Sequence, residues 1–73
     1  MMDVPSVKVR EILAFVQRRG FEIDHVTGSH YIMRHPDGRR AVIPYHSGDI
    51  KKSVLRSILR QLNLTAEDFL RLR

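Results

Sequence analysis

The hydrophobic period of this chain changes twice, and that change limits its fold more than any single motif does. Val9, Ile12, Leu13 and Val16 recur at i, i+3, i+4 and i+7, the stripe of an amphipathic helix. Leu55, Ile58, Leu59 and Leu62 repeat that spacing near the other end. Between the two stripes the period drops to two. Phe21 to Thr27 alternates weakly, His30 to His35 alternates more clearly, and Arg40 to Tyr45 alternates again. The connections are too short for parallel crossovers, so these three strands form an antiparallel meander. Pro36-Asp37-Gly38 marks the tight turn between the last two, since Pro presets φ and Gly tolerates a positive one.

The ends of these elements are also marked. Ser6 is a candidate N-cap for the first helix, and Arg18, Arg19 and Gly20 suit its C-terminus. Met1 to Pro5 reads as a loose lead-in. The second long helix begins near Lys51, with Asp49 or Ser53 as its cap. Asn63 and Leu64 break it, and Thr65-Ala66-Glu67-Asp68 resembles a capping box that starts a short last helix anchored by Phe69 and Leu70. Phe15 lies off the first stripe and is expected to pack. With 73 residues there is room for one domain, residues 1–73, with a thin core. The expected fold class is α+β: an α-β-β-β-α order plus a small α, with two helices on one face of a three-stranded antiparallel sheet.

Composition narrows the chemistry. The absence of cysteine rules out disulfides and thiolate metal sites and fits a reducing cytoplasm. No apolar run is long enough to cross a bilayer, and no signal-peptide pattern opens the chain. The net charge of +5 suits phosphates or an acidic partner. The four histidines match no familiar zinc spacing, so neither a metal nor another cofactor is expected.

Alternation then divides the strand residues between two faces. Tyr31, Met33, Ala41 and Ile43 form the greasier set and should face the helices. His30, Ile32, Arg34, Arg40 and Val42 should lie on the open face, and a one-residue slip would reverse this. A histidine exchanges protons near neutral pH, and arginines fork onto phosphate oxygens. Those ingredients could serve RNA cleavage, which needs a base, an acid and cations around phosphorus. On residue type alone, an ordinary solvated histidine is the commoner reading. Ser29 reads as a turn former rather than a nucleophile, and Gly28 as a position where a larger residue would be resisted.

A set of short motifs carries a family resemblance. Gly20-Phe21, Gly28-Ser29-His30, Met33 through Arg39, Ile43-Pro44, His46 and Leu55 through Gln61 resemble, in order and spacing, the HicA-type toxins of toxin–antitoxin systems. The resemblance runs from about Val7 to Leu70. It implies a fold like a double-stranded-RNA-binding domain and an mRNA interferase that arrests translation and growth. It puts the essential histidine at His30. It also implies a HicB-type antitoxin that covers the active face in a heteromeric complex. His25 and Thr27 stand where similar members often carry basic residues, and Lys52-Ser53-Val54 replaces a usual Pro-Gly-Thr. Arg34, Arg39, Arg40, Lys51, Lys52 and Arg56 are the candidate RNA contacts. The second acid or base is left open among His25, His35, His46 and Tyr45. The rival reading is a non-catalytic RNA-binding or partner-binding module of the same fold.

Overall fold

The computed structural model describes residues 4–45 and 48–73. Six elements follow in order: α1 (Val9–Arg18), β1 (Glu22–Val26), β2 (His30–Arg34), β3 (Arg40–Pro44), α2 (Lys52–Gln61) and α3 (Ala66–Leu72). The strands form one antiparallel sheet in the order β1-β2-β3. This is the expected α+β meander with helices packed on one face, a double-stranded-RNA-binding-domain-like fold.

Burial of the sheet's inner face holds the domain together. β2 and β3 pair with Tyr31 opposite Ile43 and Met33 opposite Ala41. Met33, Ala41 and Ile43 are fully buried, alongside Ile12, Phe15 and Val16 of α1 and Leu55, Ile58 and Leu59 of α2. Each such aliphatic or aromatic side chain contributes about 1.5–3 kcal/mol by leaving water. Phe15 is part of this core, edge-on to Phe69 with ring centroids 4.9 Å apart. All five residues of β1 are exposed, so the helices cover β2 and β3 and leave the first strand outside.

The chain departs from the sequence reading at several ends. Residues 4 and 5 are not a loose lead-in: Val4 is buried in the core and Pro5 half-buried. Residues 1–3 lie outside the described residues. Ser6 does not cap α1. Lys8 occupies the N-cap position without a side-chain bond. The start of α1 is instead held by backbone pairing, with Val9 N–H donating to the Gly48 carbonyl at 3.0 Å and Ile50 N–H to that of Val7 at 2.9 Å. Neither Asp49 nor Ser53 caps α2, whose N-cap is Lys51. Asp49 faces Lys8 at 3.4 Å. The capping box at α3 is present, with Asp68 N–H donating to Thr65 Oγ1 and Thr65 N–H to Asp68 Oδ2, both at 3.0 Å. The Thr65 backbone bond holds the Asp68 carboxyl below its usual range.

Gly20 is required where it stands. Its φ is +94°, and a Cβ there would fall 2.8 Å from His35 Nε2. His35 in turn packs edge-on to Phe21 at 5.1 Å and accepts a hydrogen bond from Asp37 N–H through Nδ1 at 3.1 Å. One histidine thus ties the end of α1 to the β2–β3 turn. Gly28, by contrast, has open space around it and no positive φ, so it is not a position that resists larger residues. Gly20→Ala should destabilise the domain by at least roughly 1–2 kcal/mol, the cost of the left-handed backbone before any clash. Gly28→Ala should change stability by under about 0.5 kcal/mol. Urea unfolding of both variants checks the contrast.

Candidate active face

The register puts the candidate residues on one surface. His30 pairs with Pro44, Ile32 with Val42, and Arg34 with Arg40. Directly paired residues share a face, so all six lie opposite the helices' side of β2 and β3. Ile32 is buried although it belongs to this face, and it stands apart from the main core. Two arginines directly opposite one another repel, and an anion between them relieves the repulsion. Part of that relief is internal: Asp24 Oδ1 lies 3.4 Å from Arg34 Nε.

His30 is exposed, and its surroundings fix its backbone. Thr27 N–H donates to the His30 carbonyl at 2.8 Å, and His30 N–H donates to Thr27 Oγ1 at 2.9 Å. Ser29 N–H donates to the same hydroxyl at 3.3 Å. Thr27 therefore shapes the turn for which Ser29 was the expected former. Ser29 Oγ lies 2.8 Å from His30 Nδ1, a hydrogen bond that orients the ring and leaves Nε2 for another partner.

Beside His30 is a groove of about 330 Å³, lined by Val42, Pro44, Ser53, Val54, Ser57, Ile58 and Gln61. Ser53, Ser57 and Gln61 are spaced four apart on α2, so they form one polar row along the helix. Gln61 also closes the free edge of β3, because Val42 N–H donates to Gln61 Oε1 at 2.9 Å. These three residues were missed from the sequence. Their i, i+4, i+8 spacing beside the Leu55–Leu62 stripe was the available signal. A larger hollow of about 560 Å³ lies near α1, lined by Val9, Leu13, Tyr31 and Tyr45 among others. It holds a tilted Tyr31–Tyr45 pair at 4.9 Å but no histidine among the described residues.

The basic candidates separate by environment. Arg34 and Arg40 sit on the open face with His30. Lys51 and Lys52 are exposed at the start of α2, and Arg56 is exposed one turn on, in the row next to Ser53 and Ser57. Arg39 is engaged in the fold: Nη1 donates to the Leu62 carbonyl at 2.7 Å, Nε to Asp37 at 2.7 Å, and the guanidinium lies 5.3 Å from the Phe21 ring centre. Its hydrogen bonds, with that of Arg39 N–H first, hold the Asp37 carboxyl below its usual range. The remaining histidines also differ. His25 Nδ1 lies 2.7 Å from Asp24 Oδ2, and this contact, followed by Arg34, lowers the Asp24 carboxyl. His35 faces the other way, into its turn. His46 lies outside the described residues.

An α+β sheet-and-helix domain with an exposed histidine and two arginines on its open face defines the class. Residues 9–64 match the family described as the HicA toxin of bacterial toxin–antitoxin systems. The match covers most of the chain, which therefore belongs to the HicA toxin family and is the toxin of such a system, with an antitoxin as partner. No curated protein matches the chain. Among the described residues no helix is long and apolar enough to cross a membrane.

Gln61→Leu should leave Val42 N–H without its partner and cost roughly 1 kcal/mol or more. Thermal unfolding measures the loss, and amide exchange at Val42 should quicken with it.

Proposed function

We propose that this toxin is an endoribonuclease that cuts mRNA in the cytoplasm and thereby arrests translation and growth. One observation carries the reading: His30 stands exposed at the mouth of the α2 groove, oriented by Ser29, on the same face as Arg34 and Arg40. Cleavage by an RNA's own 2′-hydroxyl needs one group to take that proton, one to protonate the leaving 5′-oxygen, and cations for the charge gathering on phosphorus. No metal is required for that set of tasks. His30 supplies one of the two proton transfers. Arg34 and Arg40 grip phosphate oxygens, and Lys51, Lys52 and Arg56 extend the basic track along α2. Arg39 is left out of this role because its Nε and Nη1 bond Asp37 and Leu62 within the fold. A HicB-type antitoxin silences the toxin by covering this same face.

Inducible expression of wild type and His30→Ala tests the reading. Wild type should halt growth and fragment mRNA. The folded variant should do neither, with cleavage down about a hundredfold or more. If the two behave alike, a non-catalytic RNA-binding module becomes the better description. RNA binding should also weaken steeply as salt rises. Arg40→Ala should lower the slope of log K against log salt by about 0.7, the value for one lost contact to a single strand. A slope unchanged in that variant would remove Arg40 from the phosphate track.

A further inference from the structure

The bulge in β1 brings together two residues that a regular strand would separate. Neighbours along a strand point to opposite faces, so Asp24 and His25 should lie on opposite sides of the sheet. The pairing of β1 with β2 shifts between Ile23 and His25, which leaves Asp24 as the extra residue. Asp24 Oδ2 can therefore reach His25 Nδ1 at 2.7 Å while Oδ1 lies 3.4 Å from Arg34 Nε. Beyond the bulge, His25 pairs with Ile32 and shares its face. Ile32 stands two residues from His30 on that face. His25 is thus the diagonal neighbour of His30 across β1 and β2, a separation of about 7–8 Å.

We infer that His25, positioned by Asp24, is the second proton-transfer residue of the active face and acts as general base opposite His30. The inference rests on the ribonuclease reading above. Of the described alternatives, His35 is held in its turn against Phe21, and Tyr45 lines the hollow near α1 with Tyr31. Neither shares the face of His30. An ionised carboxylate only accepts, so Asp24 fixes the hydrogen of a neutral His25 on Nδ1 and leaves Nε2 with its lone pair. In-line displacement puts the attacking and leaving oxygens on opposite sides of phosphorus. Two imidazoles on a diagonal can flank a phosphate in that way, with the buried side chain of Ile32 as the floor between them. His25 Nε2 takes the proton of the 2′-hydroxyl as the 2′-oxygen bonds to phosphorus. The bond from phosphorus to the 5′-oxygen breaks, and protonated His30 gives that oxygen its proton. The products are a 2′,3′-cyclic phosphate and a free 5′-hydroxyl. Asp24 touches His25, and the register puts Glu22 on β1, His30 and Arg34 on β2, and Arg40 on β3 on the same face of the sheet.

The test is the pH–rate profile of full-length wild type, His25→Ala, His30→Ala and Asp24→Asn on a short single-stranded RNA. Affinity for the uncleavable 2′-deoxy analogue is measured alongside. Wild type should give a bell-shaped profile and cyclic-phosphate ends. His25→Ala should cleave about a hundredfold or more slowly and lose the acid limb, while binding the analogue as wild type does. Asp24→Asn should lose less and keep the acid limb. His25→Gln repeats the measurement should His25→Ala prove unfolded by circular dichroism. An active His25→Ala beside an inactive His30→Ala overturns this inference and leaves the ribonuclease reading standing. A His25→Ala defect matched by an equal loss of analogue affinity also overturns it, making His25 a binding residue. A fully active His30→Ala overturns the reading beneath both.

Discussion

The pairing register of β2 with β3 decides what every other part of this molecule can do. Tyr31 opposite Ile43 and Met33 opposite Ala41 make the inner face apolar enough to hold α1 and α2. The same register puts His30, Arg34 and Arg40 outside. A slip of β2 by one residue against β3 would push His30 and Arg34 against the helices and turn Tyr31 and Met33 to water. Burying those two polar side chains without partners would cost several kcal/mol, a large share of what a domain this small has. The stability of the core and the exposure of the candidate site therefore come from one constraint.

That constraint also explains what was readable in the sequence. Alternation needs only the two faces to differ in polarity, and from His30 to Pro44 they do. The helix stripes were equally plain, since Val9, Ile12, Val16 and Leu55, Ile58, Leu59, Leu62 are all buried. The starts of α1 and α2 were less legible because neither has a side-chain cap. Val7 and Val9 bond to the segment at Gly48–Ile50, a contact spanning about forty residues that no local motif announces. Val4 was misjudged for the same reason: its burial is a tertiary matter, and a terminal position suggested a loose lead-in.

At the site itself, sequence pattern located His30 and the open-face arginines but not their setting. The bulge at Asp24 has no local signature, and it alone puts Asp24 beside His25. The polar row of Ser53, Ser57 and Gln61 looked like ordinary helix surface until α2 was seen lying along the edge of β3. Arg39 looked like its basic neighbours, yet its contacts with Leu62, Asp37 and Phe21 make it a strut between the β2–β3 turn and the end of α2. His35 acquired a reason too. Its ring fills the space that a side chain at position 20 would take, which pairs that histidine with that glycine.

If the open face is where RNA is processed, a strand that cannot be cut should settle on it. Histidine-ring NMR of the antitoxin-free protein, titrated with a 2′-deoxy analogue of a single-stranded RNA, reads this directly. The resonances of His25 and His30 should move together with a common affinity while those of His35 stay in place. Unmoved His25 and His30 signals at saturating analogue would contradict an RNA site on this face.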